Sequence, residues 1–353
     1  MKRILFSILA ILFLALLVIS SNKPWMEAIA DYRFYSPWDW LGPHKHGDLY
    51  NLCFIQDYKE PITEPVFKKY NTEKKNTDLY ILHDSYLQYI LNTNNFRGID
   101  SLQQIDYRNR PATKVLNPAR ASVLIIETAQ RYARWRLQNP LYYINALVIA
   151  KQIPGRQEEA QYIQEDTSNW ITSLLAKRFN PNINSNLEFN LFDYAAFSPV
   201  RGWKSGLNYG LFNKLNKQIV ISKDRKYLLL EETVDTLLNT GIYTPLPEAE
   251  LDSMVAHMAL IRNHFLGCGF KEVYYSIIPN TITVLDSNYF PQREGNGLIY
   301  KIKAKAESRQ IPYIDIYSLF LKNPDKMYKH GDSHWTDAGK QIWIDQVNET
   351  LIK

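Results

Sequence analysis

The segment His330–Thr336, near the C-terminus, contains residue types that suit acid–base chemistry. It places Asp332 two residues before His334, and a carboxylate this close can hold an imidazole in one tautomer and stabilise its protonated form. An imidazole that acts as a base needs a nucleophile, and the chain offers one far upstream at Ser85. We therefore predict that Ser85, His334 and Asp332 form a Ser-His-Asp triad for attack on an acyl carbonyl.

The residues around Ser85 indicate how it would be positioned. Leu79–Leu82 is a short apolar run typical of a buried strand, and Tyr86–Asn92 follows with a helical pattern. A serine between a strand and a helix lies beside outward-pointing backbone N–H groups, which can hold an oxyanion. Two other serines fit less well, because Ser333 lies between the proposed acid and base and Ser287 falls in a predicted loop.

The elements that must position these residues predict an α/β fold with a central, mostly parallel sheet in three α/β/α layers. Apolar runs of the kind found in strands buried on both faces alternate with helical stretches. The predicted strands are Leu79–Leu82, Leu102–Tyr107, Ser122–Glu127, Glu272–Ile278 and Tyr313–Tyr317. The predicted helices are Ala129–Leu137, Glu158–Lys177, Pro247–Cys268, Gly297–Ser308 and Thr336–Ile352, with a hairpin at Gln218–Leu230. Because sites gather at the carboxyl ends of parallel strands, this fold can bring the triad together.

The 353 residues divide into three predicted parts. Residues 1–21 are a membrane anchor or a signal peptide, residues 22–77 are an irregular segment, and residues 78–353 form one α/β domain. A helical insertion at about 140–205 interrupts the strand–helix alternation of that domain. We expect residues 78–137 and 205–353 to share one sheet, because the strands of the first part are too few to stand alone.

The N-terminus predicts contact with a membrane. Lys2 and Arg3 precede an uncharged run of 18 residues from Ile4 to Ser21. As a helix this run would be roughly 27 Å long, close to the hydrocarbon thickness of a bilayer, which favours an uncleaved anchor. Cleavage after the small residues at 20 and 21 is the alternative, and would give a secreted protein. In both cases we expect the remaining chain outside the cytoplasm.

Composition narrows the function classes. Hydrophobic residues make up 46% and charged residues 22%, which is typical of a globular protein. The net charge of +5 comes without a dense basic block, so nucleic acid is not a predicted partner. The 24 Tyr and 8 Trp suit a surface that faces carbohydrate. The pairs His44/His46 and His257/His264 lack metal-ligand spacing, and we predict neither a metal nor an organic cofactor.

The two cysteines, Cys53 and Cys268, leave two alternatives open. An exported protein can join them in a disulfide, and two buried thiols are the other outcome. Neither has the neighbours of a catalytic thiol.

A strand that ends in Asp-Ser-aromatic, with an Asp-x-His block before the last helix, resembles the SGNH (GDSL-type) hydrolases. The block Asp332–Thr336 is more similar to the alginate O-acetylation proteins and the related DHHW proteins, as are Ile219–Leu230 and Ile277–Asn280. These stretches cover roughly residues 205–353, and residues 78–137 resemble the part that carries the serine. The resemblance implies an extracytoplasmic O-acyltransferase or esterase that acts on acetyl esters of a cell-envelope or exported glycan. It also implies that a membrane-bound O-acyltransferase could be a partner that supplies acyl groups.

The chain departs from this family pattern in two ways. The serine precedes the histidine block, as in ordinary SGNH hydrolases and in the D-alanyl transfer protein of lipoteichoic acid synthesis, whereas the alginate-type order is reversed. We identify no clear copy of the Gly-x-Asn oxyanion block of those hydrolases. Four residues are the substitutes that we consider for oxyanion or substrate binding: Gly98, Gln130, Arg131 and Asn280. The missing block and the many aromatics also leave a second hypothesis, a non-catalytic envelope protein that binds or assembles glycans.

Overall fold

The computed structural model describes residues 2–34, 46–60, 65–70, 76–87, 91–108, 111–150, 183–192, 198–285 and 289–351. The chain divides into two compact units. Of the described residues, 2–34, 46, 53–60, 183–192 and 198–215 belong to the smaller unit, and all others belong to the larger. The triad candidates lie in the larger unit.

The described part of the chain contains eight strands and thirteen α-helices. The strands are β1 (Thr77–His83), β2 (Ser101–Asp106), β3 (Ala112–Lys114), β4 (Ala121–Ala129), β5 (Leu147–Ile149), β6 (Ile219–Ile221), β7 (Leu228–Leu230) and β8 (Glu272–Ile278). The helices are α1 (Lys2–Ser21), α2 (Lys23–Phe34), α3 (Tyr50–Cys53), α4 (Gln130–Gln138), α5 (Leu141–Ala146), α6 (Ile183–Phe192), α7 (Ser198–Phe212), α8 (Glu231–Val234), α9 (Glu248–Gly267), α10 (Thr281–Leu285), α11 (Leu298–Ser308), α12 (Tyr317–Phe320) and α13 (Asp337–Leu351). Short 3₁₀ turns lie at Gln56–Tyr58, Thr93–Asn95 and Pro324–Lys326.

A four-stranded parallel sheet in the order β2-β1-β4-β8 forms the centre of the larger unit. The chain leaves β1 to one side to form β2, then returns across β1 to form β4, so the strand order reverses between β1 and β4. In open parallel sheets a crevice opens at such a reversal, outside the carboxyl ends of the strands. Strand β8, from the second half of the chain, pairs with β4, so both halves contribute to one sheet.

Helices pack on both faces of this sheet. Side chains along β1 point alternately to opposite faces, with Leu79 and Ile81 in one core and Tyr80 and Leu82 in the other. Residues of α9 and α11 complete the core that contains Tyr80, and residues of α13 complete the core that contains Leu79. Burial on both faces explains why the middle of β1, Leu79–Leu82, is continuously apolar.

Helix α1 in the smaller unit is long and apolar enough to cross a membrane, by length and composition. A signal sequence near an N-terminus has the same properties. Helix α2 follows almost directly, so the prediction that residues 22–77 are irregular is wrong for Lys23–Phe34. The predicted helix Glu158–Lys177 lies outside the described residues. Both cysteines, Cys53 and Cys268, are free thiols.

Two local predictions in the larger unit are wrong, and an aspartate explains each. The described residues after β1 form a turn instead of a helix start, because the Asp84 side chain accepts the Tyr86 backbone N–H at 3.1 Å. The predicted strand Tyr313–Tyr317 makes a single parallel bridge at Tyr313. There the Asp315 carboxylate accepts hydrogen bonds from the backbone N–H and hydroxyl of Ser318, which favours the turn that leads into α12.

Candidate active site

Ser85, His334 and Asp332 meet at the carboxyl edge of the sheet. The Ser85 Oγ lies 2.9 Å from Nε2 of His334, and Nδ1 of His334 lies 2.7 Å from Oδ1 of Asp332. With the proton on Nδ1 donated to Asp332, Nε2 is free to accept the proton of the Ser85 hydroxyl. Ser85 is partly exposed, whereas Asp332 is buried. A reactant can therefore reach the hydroxyl while the acid is shielded from water.

The turn that carries Ser85 is held from below by the carboxylate of Asp84. Its Oδ2 accepts the Ala129 backbone N–H and an Arg136 guanidinium N–H, each at 3.0 Å. These contacts link the end of β1 to the end of β4, through Ala129, and to the last turn of α4, through Arg136. Despite burial, which acts in the opposite direction, the Arg136 charge and the N–H donors lower the pKa of Asp84 below its ordinary value. Asp84 is thus an ionised, fully paired carboxylate directly beneath the nucleophile.

A second buried carboxyl, Glu127 on β4, touches the same turn. Its Oε2 accepts the Asp84 backbone N–H at 2.9 Å. Complete burial, together with the negative charge of Asp84, raises the pKa of Glu127 well above its ordinary value. The pair therefore contains one ionised and one neutral carboxyl, which is the usual outcome when two carboxyls share a buried site.

Two aromatic side chains link the turn of Ser85 to the loop of His334. The Tyr86 hydroxyl donates to the Ser333 carbonyl at 2.8 Å, and the Trp335 indole N–H donates to the Tyr86 carbonyl at 2.9 Å. The Tyr86 ring also packs against the His334 ring, with centroids 4.9 Å apart. Both aromatics are buried, so these bonds form away from competing water. They fix Ser85 and His334 relative to each other from two sides.

Asp48 is a further carboxylate at the site that the sequence analysis did not identify. It accepts from the Ser333 backbone N–H at 2.7 Å and from the Ser333 hydroxyl at 2.5 Å, and its Oδ2 lies 3.7 Å from Nδ1 of His334. Gly47 permits this approach, because a Cβ there would lie 2.1 Å from the Gly331 carbonyl oxygen. The contacts join residues 285 positions apart, so no local pattern could have identified Asp48.

The two carboxylates near His334 differ electrostatically. Burial alone would raise the pKa of Asp332, but its hydrogen bonds with His334 and the charge of that imidazole hold it well below its ordinary value. Partial burial and the adjacent Asp332 carboxylate raise the pKa of Asp48. Asp332 is therefore the ionised partner of the imidazole, and Asp48 holds the loop.

Asp48, Asp332 and His334 also form a group whose ligand atoms lie within 4.8 Å of one another, close enough to hold a metal ion. A cation bound to Nδ1 of His334 would displace the hydrogen bond between His334 and Asp332, and would then compete with the triad arrangement.

Two of the histidines considered as metal ligands in the sequence make other contacts. His46 and His257 each place Nδ1 against a backbone carbonyl oxygen, of Glu60 and Leu137 respectively.

The structure separates the four candidates for oxyanion or substrate binding. Gly98 lies at the opposite edge of the sheet, in a pocket with Thr77 and Ala121, which are the first residues of β1 and β4. A seven-residue strand spans roughly 20 Å, so Gly98 is remote from Ser85. Its φ of 70° shows that it serves a left-handed turn.

The other three candidates lie together at the carboxyl ends of β4 and β8. The Gln130 side-chain oxygen accepts the Asn280 backbone N–H at 2.9 Å, so Gln130 positions Asn280. The Asn280 Oδ1 accepts the Arg131 backbone N–H at 3.2 Å, and Nη1 of Arg131 donates to the Tyr86 hydroxyl at 3.2 Å. Arg131 and Asn280 thus adjoin the triad through Tyr86. Ser287, the alternative nucleophile in a predicted loop, lies outside the described residues.

Comparison of the chain with models of protein families, with curated proteins and with solved structures finds no match.

Proposed function

We propose that the protein is a serine-dependent acyl-ester enzyme of the SGNH type, either an O-acyltransferase or an esterase. The observation that carries the proposal is the chain of two hydrogen bonds, 2.9 Å from Ser85 Oγ to His334 Nε2 and 2.7 Å from His334 Nδ1 to Asp332 Oδ1. Nucleophile, base and orienting acid are linked in the order that nucleophilic catalysis requires. The α/β sheet, with the site at its strand reversal, supports the same proposal.

In the proposed reaction, Ser85 Oγ attacks the acyl carbonyl while Nε2 of His334 takes the hydroxyl proton. The tetrahedral intermediate collapses, the ester C–O bond breaks, and the leaving alcohol takes the proton from Nε2. The acyl group now resides on Ser85. A water molecule or a sugar hydroxyl then gives its proton to Nε2 and attacks the acyl carbon. The bond between that carbon and Ser85 Oγ breaks, and Oγ takes the proton back from Nε2. Asp332 orients the imidazole and stabilises its charge throughout.

The substrate and location are part of the proposal. We propose that the acyl group is acetyl, that the substrate is a cell-envelope or exported glycan, and that α1 anchors the enzyme with its site outside the cytoplasm. The basic residues Lys2 and Arg3 at the start of α1 and the long chain after α1 support this orientation. From the resemblance to the alginate O-acetylation proteins, we also propose that a membrane-bound O-acyltransferase supplies the acyl groups. Neither a metal nor an organic cofactor takes part.

The alternative proposal is a non-catalytic envelope protein that binds or assembles glycans. The position of Gly98 at the far edge of the sheet favours it, because one candidate for the oxyanion site is thereby lost. An acetyl-ester reporter assay separates the alternatives. Under the enzyme proposal, Ser85→Ala and His334→Ala each abolish hydrolysis, and the double variant is little worse than either alone.

Ser308→Ala is the matched control for this assay, because Ser308 is exposed at the end of α11. It should retain full activity, and thermal unfolding should show all variants folded. Full activity in Ser85→Ala would end the assignment, and Ser333 and Ser287 would then be substituted in turn. No hydrolysis or transfer by the wild-type protein with any acyl ester would favour the non-catalytic alternative.

A further inference from the structure

Arg131 is a buried cation without a carboxylate at hydrogen-bond distance among the described residues. Its side chain is 8% exposed, Nη1 donates to the Tyr86 hydroxyl, and Nε has no hydrogen-bond partner in the described structure. The nearest carboxylate oxygen, from the one-third exposed Glu232, lies 3.8 Å from Nε. Burial of a charge is costly unless it is paired and hydrogen-bonded. A bound anion would therefore stabilise the buried charge of Arg131.

The next two arginines of the same helix each have a close carboxylate, although Nη1 of Arg134 and Nε of Arg136 also have no hydrogen-bond partner among the described residues. Arg134 donates to both oxygens of Glu250, at 2.7 and 2.6 Å. Arg136 donates to Asp84 at 3.0 Å and to two hydroxyl groups. Arg134 and Arg136 thus each have a carboxylate at hydrogen-bond distance. Arg131, which lies nearest the loop of His334, does not have one among the described residues.

A second unpartnered donor lies beside Arg131. Asn280 is 2% exposed, and its Nδ2 has no hydrogen-bond partner among the described residues. Its orientation is set by its other atoms, since Oδ1 accepts from Arg131 and its backbone N–H donates to Gln130. Both Asn280 and Arg131 line a small pocket with Tyr86, Thr233 and Ser333. Two N–H donors of this kind match the two oxygens of a carboxylate.

The location of this pocket gives it positive potential and a connection to the triad. Helix α4 begins at Gln130, so the positive end of its dipole lies at the pocket. Tyr86 separates the pocket from the imidazole of His334, and Ser333, which precedes His334, forms part of the wall. A group held here would lie one side chain away from the reacting ester.

We propose that the pocket of Arg131 and Asn280 binds a carboxylate, and that this carboxylate belongs to the substrate. The binding part stands on the pocket alone, whereas the substrate part rests on the proposed acyl-ester function. The carboxylate comes from an acidic sugar of the acyl acceptor or from an acyl group that itself carries one, and these two sources require separate measurements.

Direct binding is measured with ¹³C-labelled acetate by NMR line broadening, at constant ionic strength with chloride as the balancing anion. We expect saturable binding to the wild-type protein and to Ser85→Ala. Loss of a charge-assisted pair should weaken binding by roughly tenfold to a hundredfold in Arg131→Gln. Arg309→Gln, which removes an exposed guanidinium on another helix, should bind as the wild type does. Inorganic phosphate, which is tetrahedral, should bind more weakly than acetate.

Absence of saturable acetate binding to the folded wild-type protein would overturn the proposal, whatever the stability of the variants. Equal binding by a folded Arg131→Gln variant would also overturn it. Because Ser85→Ala should still bind acetate, this result does not depend on catalysis, and failure of the proposed function would be seen separately.

The source of the carboxylate is decided by kinetics. The first arm compares kcat/KM for 4-nitrophenyl hemisuccinate with that for 4-nitrophenyl acetate, and the second compares glucuronic acid with glucose as acyl acceptors. In one arm, Arg131→Gln should lower the preference for the carboxylate compound about tenfold or more. The preference is a ratio measured on one variant, so an effect through Tyr86 that both compounds share cancels. If neither preference depends on Arg131, the carboxylate is not part of the substrate and that part of the proposal is wrong.

Discussion

Replacement of Asp332 by asparagine, compared with the same change at Asp48, probes how the site uses two carboxylates. An asparagine at 332 can still accept the His334 backbone N–H, a bond of 2.9 Å in the structure, so the loop should keep its shape. The same oxygen, Oδ1, also accepts Nδ1–H of His334 at 2.7 Å. The asparagine can keep its oxygen there, and then loses the negative charge that stabilises the protonated imidazole. If it instead turns its amide toward Nδ1, it gives up the backbone bond and leaves the proton on Nε2, facing Ser85. In that tautomer the imidazole cannot take the serine proton, and the same change in an unrelated serine enzyme lowers kcat about 10⁴-fold.

We expect Asp332→Asn to lower kcat on an acetyl ester by about 10³- to 10⁴-fold, which corresponds to roughly 4–5.5 kcal/mol. Asp48→Asn removes a charge 3.7 Å from Nδ1 of His334. Because the Asp48 side chain is 45% exposed, a solvent-like dielectric applies, and the loss is about 1 kcal/mol. That is about a fivefold effect on kcat.

Steady-state kinetics on 4-nitrophenyl acetate at pH 7 measures both losses, with circular dichroism to show that each variant is folded. A larger loss in Asp48→Asn than in Asp332→Asn would refute the assignment of the acid. More than a tenth of wild-type activity in Asp332→Asn would refute the role of Asp332 in orienting and stabilising the imidazole.

Four further predictions concern the two buried carboxyls Asp84 and Glu127, the group of Asp48, Asp332 and His334, and helix α1. Asp84→Ala should destabilise the fold by about 3–5 kcal/mol, because it leaves Arg136 buried without its carboxylate. Glu127 keeps its proton in the folded state above its ordinary pKa of 4.5. The stability of the wild-type protein relative to Glu127→Gln should therefore fall by up to about 1.4 kcal/mol for each pH unit above that value. Urea unfolding of both proteins at pH 5, 6 and 7 tests this, and a stability difference that does not change with pH would contradict it. Dialysis against EDTA should leave activity unchanged, because Nδ1 of His334 donates a hydrogen bond and does not bind a metal in this account. A loss of activity that a divalent metal restores would indicate a metal centre instead. The full chain should fractionate with membranes and resist high-salt washing, whereas a chain that starts near Trp25 should be soluble and hydrolyse small esters; a free protein that begins near residue 22 would show a cleaved signal peptide.

The parts of the fold that sequence could predict are those in which one physical requirement dominates a short segment. The middle of strand β1, Leu79–Leu82, is buried on both faces and is therefore apolar, and the pattern of α9 follows equally from its buried stripe. The order of Ser85 at a strand end and His334 before the last helix then places both at the same edge of a parallel sheet. Local competition from side chains was harder to foresee, as the turn formed by Asp84 shows.

The parts of the site that sequence could not predict depend on contacts between distant segments. Asp48 reaches the loop of His334 only because two glycine-containing segments approach closely, and neither segment indicates this by itself. Gly98 was a candidate because oxyanion sites often use glycine, but a left-handed turn requires glycine equally. The absence of a carboxylate at hydrogen-bond distance from Arg131 is also a property of the folded chain, since acidic residues near it in sequence, such as Glu127, are bonded elsewhere.

The central claim is that Ser85 is a nucleophile activated by His334, and covalent labelling tests it most directly. A fluorophosphonate probe reacts with a serine whose hydroxyl is activated by a neighbouring base. Intact mass spectrometry of the full chain should show one adduct, and peptide mapping should assign it to Ser85. Labelling should disappear in His334→Ala and after heat denaturation, while Ser308→Ala should react at the wild-type rate. A folded wild-type protein that does not react, or that carries the adduct on another serine, would contradict the account.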